Sequence, residues 1–311
     1  MLLNYYLEKL GVDDKPDFIN KYLETPSLLR LKKVGYFCGM DYASKDIYNF
    51  SEYISRYDHS LSVALLTYKL TKDKKATIAA LFHDIATPCF SHVIDYMNGD
   101  YEKQESTEEF TERILKNDTY LLKCLKEDNI DINEIINFKQ YTIVDNDRPK
   151  LCADRLDGII LTGIGWTKNI NSEDIDNILN NLNIYNNEDG EDEIGFTNKE
   201  VAQRILDESE EIDIYCHSNE DNYMMELLAK ITKTAITANY LHYEDLYYLN
   251  EEELFKYLHH IDDEILKNYL NLFKTVKKNN IPLMEMANIK ARVINPLVNG
   301  ARFKKSSSLH L

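Results

Sequence analysis

The sequence predicts a mostly α-helical protein. Apolar residues recur at helical spacing in stretches rich in Leu, Ile, Lys, Glu and Asn. The 311 residues include only six prolines and ten glycines, which argues against an all-β architecture with many tight turns. One short C-terminal β-hairpin is the expected exception, because β-branched residues flank Asn299-Gly300.

Composition and charge limit the classes of function. Hydrophobic residues make up 44% of the chain, which lies in the globular range. The net charge of −17 repels nucleic-acid phosphates, so we expect no nucleic-acid partner. A small phosphate ester would still enter a pocket in which a metal ion and local arginines reverse the sign of the charge.

Cysteine usage and hydropathy predict a cytoplasmic protein with no membrane partner. The five cysteines show no CxxC spacing, which favours a reducing compartment over a disulfide framework or a zinc ribbon. No apolar run approaches the roughly 20 residues that span a bilayer. The first residues also lack the basic region and apolar core of a secretory signal.

The strongest chemical signal is a histidine followed by an aspartate at the end of an apolar stretch. His83 and Asp84 directly follow residues 76–82, which have helical spacing and good helix formers. Two such polar groups at a buried helix end cost several kcal/mol unless a partner compensates. A divalent metal compensates well, because neutral His and ionised Asp are among its usual ligands. A capping His and Asp is the alternative for the dipeptide alone.

Two further stretches supply candidate ligands. His59 opens an amphipathic segment that runs to about residue 70, and Asp154 opens another. Together with His83 and Asp84 they come from three separate predicted helices, which is how a helical bundle builds a metal site in its core. The sequence therefore predicts one site that draws on distant parts of the chain.

Arg56 is a candidate phosphate ligand beside this site. It lies three residues before His59 and shares its helix face. An arginine there would make a bidentate contact to a substrate phosphate. The alternative is a surface salt bridge to Asp58 or Glu52.

These residues make the sequence resemble the HD-domain phosphohydrolase superfamily, whose metal pattern is H…HD…D. More narrowly, it resembles the deoxynucleoside triphosphate triphosphohydrolase branch. The resemblance spans roughly residues 26–165, and its stretches are Leu29-Arg30-Leu31, Ser55 to Leu61, His83 to Asp95 and Asp154 to Asp157. It implies an HD-domain helical bundle with one divalent ion (Mn, Fe, Ni, Co, Zn or Mg) held by His59, His83, Asp84 and Asp154. A second Mg or Mn ion would enter with the substrate.

The resemblance also implies roles for residues around the metal. Arg155 would be a second phosphate ligand beside Arg56, and Asp157 would orient Arg155 or a metal ligand. His92 would touch phosphate or a bridging water. Asp95, three residues further on, would hydrogen-bond this imidazole and fix its tautomer. A structural histidine is the alternative interpretation of His92.

The sequence departs from the triphosphohydrolase pattern at the proton donor. A Gln104-Glu105 pair replaces a His-Glu pair, and glutamine cannot transfer a proton at neutral pH. Glu105, His92 or a metal-bound water would then supply the proton. Thr87 replaces another histidine of the branch.

The residues that read the sugar in that branch are also replaced. Tyr36 stands where a glutamine is expected, Gly158 replaces a tyrosine, and Leu161-Thr162 replace an Arg-Asp pair. We expect Gly158 to open room beside the sugar, so that discrimination against ribose is weak.

Two regions are expected along the chain. Residues 1–165 would form the HD-domain core with a polar N-terminal cover, and residues 166–311 a helical extension packed on the same domain. Within the extension, a helix over 172–182 and a loop near 186–190 suggest an insertion or a lid, followed by two long helices over 197–214 and 219–240. The basic tail, residues 289–305, would hold phosphate over the active site, make an oligomer contact or be a solvated end.

The sequence therefore predicts a metal-dependent phosphohydrolase whose partner is a nucleotide or a related small phosphate ester. A phosphatase of non-nucleotide monophosphates is one alternative, and a catalytically silent HD module that binds a nucleotide is another. A di-iron HD oxygenase is disfavoured, because His92 is the only spare histidine near the motif. A homo-oligomer stays open.

Overall fold

The computed structural model of the protein describes residues 1–102, 108–285 and 289–303. The α-helices in these ranges are α1 Leu2–Leu10, α2 Asp17–Leu23, α3 Pro26–Arg30, α4 Arg56–Thr71, α5 Lys74–Phe82, α6 Val93–Asn98, α7 Thr111–Asn117, α8 Thr119–Glu127, α9 Ile132–Ile136, α10 Ala153–Gly165, α11 Ser172–Asn180, α12 Lys199–Cys216, α13 Asn219–Thr237, α14 Glu251–His260 and α15 Glu264–Thr275. The strands are β1 Leu182–Asn186, β2 Asp192–Phe196, β3 Leu297–Val298 and β4 Ala301–Arg302. The predicted mostly α-helical fold is confirmed.

Three packed helices, α4, α5 and α10, form the centre of the fold. A capping box begins α4: the Ser55 hydroxyl accepts from the Asp58 N–H, and the Asp58 carboxylate accepts from the Ser55 N–H. This cap places Arg56 and His59 in the first turn. Asp73 caps α5, and every residue of that helix from Ala76 to Phe82 is buried. The helix therefore delivers the next residue, His83, into the core.

The N-terminal cover packs tightly on this centre. Helix α1 contacts α4, α10 and α11. It buries Leu3, Tyr6 and Leu10 on one face, and Tyr6 is completely inaccessible to solvent. The segment expected to be a polar cover thus contributes core residues.

The C-terminal half continues the same hydrophobic core. The two long helices predicted there are present as α12 and α13. Helix α12 packs on α10, while α13 packs on α6 and α15. One cluster of buried apolar side chains extends from Leu3 to Phe303. Among the described residues, no helix has both the length and the apolarity needed to cross a membrane.

Residues 110–140 form three short helices, α7, α8 and α9, and Asp118 accepts the N–H of Leu121 at the start of α8. The structure shortens the helix predicted over 172–182, which is capped by Asn171 and ends at Asn180.

The loop predicted near residues 186–190 is the turn of a β-hairpin, whose two strands were not predicted. Strands β1 and β2 pair in an antiparallel register with Leu182 opposite Phe196. The hairpin was missed because β1 is only five residues long and half-exposed, and its apolar residues Leu182 and Ile184 lie in an Asn-rich stretch. Strand β2 of the hairpin also pairs with residues more than 100 positions later in the sequence.

The predicted Asn299-Gly300 hairpin is confirmed. Both turn residues have positive φ, 48° and 80°, as a two-residue hairpin turn requires. Strand β3 also pairs with β2 in parallel, which gives the sheet order β1-β2-β3-β4. Arg302 of β4 donates to the fully buried carboxylate of Glu193. This ion pair joins the end of the chain to its middle.

Candidate metal centre

His59 is oriented by a buried carboxylate behind it. Its Nδ1 lies 2.7 Å from Asp157 Oδ2, and its Nε2 lies 3.1 Å from Asp154 Oδ1. Asp157 also accepts a 2.8 Å hydrogen bond from the Tyr6 hydroxyl. With Nδ1–H donating to Asp157, the Nε2 lone pair points toward Asp154. Carboxylate support of this kind is typical of histidines that bind metals.

His83 presents a buried nitrogen without a hydrogen-bond partner. Its Nδ1–H donates to the Ala80 carbonyl at 2.7 Å. Its Nε2 is inaccessible and makes no hydrogen bond. That atom lies 3.5 Å from Asp154 Oδ1 and 3.8 Å from Asp84 Oδ1. Leaving a buried acceptor unpaired costs about 1–3 kcal/mol, so the site calls for an additional partner.

The ligand cluster comprises His59, His83 and Asp154. One ligand atom from each lies within 4.8 Å of the others. Asp84 adjoins the cluster, because its Oδ2 is 3.8 Å from His59 Nε2. The same oxygen accepts a 2.9 Å hydrogen bond from Arg56. The prediction that Asp84 is the fourth ligand stays a prediction.

The electrostatics of this cluster favour a positive charge at its centre. Burial would lower the pKa of His59, but hydrogen bonds to Asp154 and Asp157 outweigh it and raise the pKa to about 10. Burial also opposes a proton on His83, while Asp84 and Asp154 raise its pKa. Burial would raise the pKa of Asp154, but both imidazoles hold it well below its usual range.

The residues fit a divalent cation. Two imidazole nitrogens and two carboxylates are a donor set suited to several first-row metals. Metal ligands bind as neutral His and ionised Asp, so a cation would replace the protons that the cluster otherwise attracts. The unpartnered Nε2 of His83 is the direct structural sign of this fit.

A second group of ligand-type atoms shares Asp154. Asp145, Cys152 and Asp154 offer atoms within 4.8 Å of one another. The thiol is a soft ligand poorly suited to Mg or Mn, and Arg155 already donates to Asp145. This group therefore gives no support to the predicted second ion, which stays a prediction.

His92 stands on a strained turn. Phe90 and Ser91, just before it, both have positive φ, 68° and 47°. The buried Glu251 carboxylate holds the turn by accepting the N–H groups of Phe90 and Gly35, both at 3.0 Å. Nothing in the local sequence indicated this anchor, which lies about 160 residues away.

The predicted hydrogen bond between His92 and Asp95 is present. The Nδ1–H of His92 donates to the fully buried Asp95 at 2.9 Å. Burial lowers the pKa of His92, and Arg56 and Arg292 lower it further, whereas Asp95 acts in the opposite direction. The imidazole is therefore neutral at pH 7, with Nε2 able to accept a proton.

One cavity of about 740 Å³ joins these groups. The ligand cluster, Asp84 and His92 line one part of it. Its other lining groups include cations, carboxylates, aromatic rings and aliphatic side chains. The cations include Arg56, Arg148, Arg155, Lys290 and Arg292, and the aromatic residues include Tyr36, Phe37, Tyr48, Phe50 and Trp166.

The two arginines predicted to bind phosphate have different surroundings. Arg56 is buried, donates to Asp84, lies 4.9 Å from the Tyr36 ring and has an unpartnered Nε. Arg155 also lines the cavity, but it donates to the Lys150 carbonyl, to Asp145 and to Asn146. Its present contacts hold the 145–150 segment in place.

The space expected beside Gly158 is absent. A Cβ at this position would lie 2.8 Å from the Tyr36 hydroxyl. The expectation of open room was therefore wrong, because Tyr36 reaches in from another segment and fills it. Thr162 lines the cavity, whereas Leu161 is buried in the core. Gln104 and Glu105 lie outside the described residues.

Two further residues, Arg30 and Tyr6, position the site, and only Tyr6 had no recognisable local pattern. Arg30 belongs to a matching stretch, and its guanidinium donates to the carbonyls of Ile85, Thr87 and Leu249. It thereby fixes the turn that follows Asp84. Tyr6 supports Asp157 from the first helix.

Comparison with known proteins agrees with this geometry. Residues 56–159 match the model of the HD domain family. "Uncharacterized protein YdhJ" of Bacillus subtilis is 28% identical over 207 residues, which cover 65% of this chain and 60% of that protein. "Metal-dependent phosphohydrolase cns2" of Cordyceps militaris is 26% identical over 132 residues, 42% of this chain and 37% of that protein. The chain thus spans less than two thirds of the length of either relative.

The matched segment contains all four predicted ligands as well as Arg56, His92 and Asp157. The narrower resemblance to the triphosphohydrolase branch stays a prediction. The family match and the metal-dependent relative support the HD superfamily as the family of the segment that forms this cluster.

Proposed function

We propose that the protein is a metal-dependent phosphohydrolase of small phosphate esters, with nucleotides as the leading substrate class. The observation that carries the proposal is the unpartnered, buried Nε2 of His83, which faces Asp154 beside the oriented Nε2 of His59. The name of the second relative, a metal-dependent phosphohydrolase, points in the same direction.

His59, His83, Asp84 and Asp154 would hold one divalent cation. When bound, such a cation supplies Lewis acidity toward a phosphoryl oxygen and toward the attacking water. The guanidinium of Arg56 adds positive charge to the site. Its Nε–H is buried and has no hydrogen-bond partner. A phosphoryl oxygen that accepted this N–H would satisfy the donor and gain a charge-assisted hydrogen bond.

His92 and Asp95 would move a proton during hydrolysis. Attack of water on phosphorus releases a proton, and the neutral Nε2 of His92 is able to accept it. Asp95 holds the ring through Nδ1, so the accepting nitrogen faces the cavity. The protonated imidazole would then be a source of the proton that the leaving oxygen needs.

An aromatic wall supports an organic group on the substrate. The rings of Phe37 and Phe50 stack with centroids 4.3 Å apart, and Trp166 lies at 6.3 Å and 6.1 Å from them. These residues line the cavity that contains the ligand cluster. A planar base would find apolar and aromatic contacts there.

Sugar selectivity is expected to be weak, because the residues that read the sugar in the resembled branch are replaced. Open room beside Gly158 is not the reason, since the Tyr36 hydroxyl occupies that space. Tyr36 is therefore the residue that would make a sugar contact if discrimination between ribose and deoxyribose proved strong. Paired kinetics on ribo- and deoxyribonucleotides with one, two and three phosphates test this. A strong preference for deoxynucleoside triphosphates would contradict it.

The function itself is tested by metal analysis and substrate screening. The purified protein is expected to contain a divalent metal and to release phosphate or a polyphosphate from at least one nucleotide. Chelation should abolish the release, and re-addition of the metal should restore it. Activity on non-nucleotide monophosphates alone would identify a different substrate class. Nucleotide binding without hydrolysis by the metal-loaded protein would favour a catalytically silent module.

A further inference from the structure

The C-terminal strap, residues 289–296, is an extended segment that crosses the cavity wall. The Arg292 N–H donates to Asp213 at 2.7 Å, and the Arg292 carbonyl accepts from the Ser209 hydroxyl at 2.9 Å. Further along, the Asn295 N–H donates to the Pro149 carbonyl at 2.7 Å. These bonds fix the strap to α12 and to the loop before α10. The backbone on both sides of the Arg292 side chain is therefore held in place.

The strap directs cationic side chains into the cavity. Lys290 and Arg292 both line it, together with Arg148 from the adjoining loop. Arg148 in turn donates to the Val293 carbonyl of the strap. The cavity thus receives three cations from the strap and its adjoining loop, in a chain whose net charge is −17.

Arg292 is the least satisfied of these cations. Its Nε–H is buried and has no hydrogen-bond partner, and the side chain lies beside the Cys216 thiol. Within the described ranges, no carboxylate forms an ion pair with Arg292 or with Arg148. By contrast, Arg302, ten residues after Arg292, has its guanidinium fully engaged by Glu188 and Glu193.

Arg148 and Arg292 are half-buried, and the charge of Arg292 is electrostatically unfavourable for Arg148. Burial lowers the pKa of Arg148 to about 10, and Arg292 and Arg155 contribute to the decrease by repulsion. An anion that enters the cavity would remove the repulsion and accept the unpaired Nε–H. A phosphate group matches the planar, forked geometry of a guanidinium.

We propose that the C-terminal strap forms a phosphate subsite of the cavity, in which Arg292 and Arg148 bind a phosphate group of the substrate. The inference rests on the proposed function for the identity of the substrate, but the anion subsite is testable without turnover. It assigns a binding role to Arg292, which lies beyond the segment that matches the HD domain family, and to Arg148, which lies within that segment. Of the three roles left open for the basic tail, it selects the first.

The direct test is calorimetric titration of the metal-loaded protein with inorganic pyrophosphate and inorganic phosphate. In Arg292→Gln, pyrophosphate affinity is expected to fall by at least about ten-fold, the loss typical of a charge-assisted hydrogen bond. Bound metal should be unchanged. Arg113→Gln is the matched control. Arg113 lies on α7 and forms an exposed ion pair with Glu244, so the substitution removes the same charge from the surface. It should leave pyrophosphate affinity within about two-fold of the wild type.

Arg292→Lys provides a second test of the subsite in case Arg292→Gln does not fold. It retains the charge but lacks the planar fork, so its pyrophosphate affinity should fall by a smaller factor and KM should rise more than kcat falls. Unchanged affinity in a folded Arg292 variant, or no pyrophosphate binding by the wild type, would overturn the subsite. Arg292-dependent pyrophosphate binding without any hydrolysis would instead support the subsite and contradict the proposed function.

Discussion

The cavity contains two histidine–carboxylate pairs with similar geometry and opposite proton affinity. The pairs His59–Asp157 and His92–Asp95 are joined at 2.7 Å and 2.9 Å, and both carboxylates are completely buried. Yet the pKa of His59 is raised to about 10, whereas that of His92 is lowered.

The neighbours of each ring explain the difference. His59 faces Asp154 and Asp84 in addition to Asp157. Arg56 and Arg292 act on His92 instead, and they oppose its protonation. The hydrogen-bonded carboxylate therefore orients each imidazole, while the surrounding charges determine its proton affinity. The His59–Asp157 pair is suited to support a cation, and the His92–Asp95 pair is suited to transfer a proton.

Among the single substitutions that we propose, removal of the His92 imidazole should have the largest effect on turnover. We expect His92→Asn to lower kcat by roughly 100-fold or more, as general acid–base catalysis typically contributes. Metal content should be unchanged, because His92 is not part of the ligand cluster. Steady-state kinetics measure kcat, and elemental analysis measures the metal content. Loss of metal in this variant would contradict the separation of roles between His92 and the ligand cluster.

The pH profile of the wild type sharpens the same prediction. A base must be neutral to accept a proton, and the pKa of His92 lies below the ordinary 6.5. This titration should therefore reduce kcat/KM only as the pH falls below 6.5, and the corresponding acidic limb should be absent from His92→Asn.

Removing the charge of Asp157, which orients His59, should weaken metal binding by the ligand cluster. Asp157→Asn keeps the size of the side chain but loses the carboxylate shared by His59 and Tyr6. Metal affinity is expected to fall by about 10–100-fold, as for other partners of metal-bound histidines. Excess metal should restore activity. An activity loss that persists at saturating metal would show that Asp157 has a role beyond orienting His59.

Substitution of the two arginines predicted to bind phosphate should have different effects, one on kinetics and the other on stability. Arg56→Lys is expected to lower kcat/KM about ten-fold, because the buried fork at Arg56 has a free donor. Arg155→Lys should mainly lower thermal stability, because the Arg155 guanidinium binds the 145–150 segment. The reverse pattern, a kinetic defect in Arg155→Lys with an unchanged melting temperature, would restore its assignment as a phosphate ligand.

The smallest effect on turnover is expected from Tyr6→Phe. This change removes one hydrogen bond to buried Asp157 and leaves the bond to His59 intact. The free energy of unfolding should fall by about 1–3 kcal/mol, with little change in metal affinity. Urea denaturation measures the first quantity. A loss of metal binding as large as that in Asp157→Asn would mean that Tyr6 determines the orientation of the cluster.

Sequence analysis predicted the parts of the molecule that depend on local patterns. The histidines and aspartates of the cluster lie in short motifs at the starts or ends of apolar helices, and the Asn299-Gly300 turn follows from its own backbone preferences. Most predicted helices are present for the same reason. Periodicity and capping are readable within about ten residues.

The remaining features depend on contacts between distant residues. Strand β1 is a short, half-exposed segment that is identified as a strand by its pairing with β2. The contacts of Arg155 with the 145–150 loop could not be separated from phosphate binding by sequence alone. Tyr36 fills the space beside Gly158, which lies more than 120 positions later in the sequence. Glu251 anchors the turn before His92 from about 160 positions away. Side-chain placement of this kind follows from tertiary packing, which a single sequence does not specify locally.

The most direct test of the central claim is the metal content of His83→Ala/Asp84→Ala compared with the wild type. If His59, His83, Asp84 and Asp154 hold the cation, the wild type should carry one equivalent of a divalent metal. The double variant should carry none and should release no phosphate from any substrate of the wild type. Full metal occupancy in the folded double variant would contradict the account.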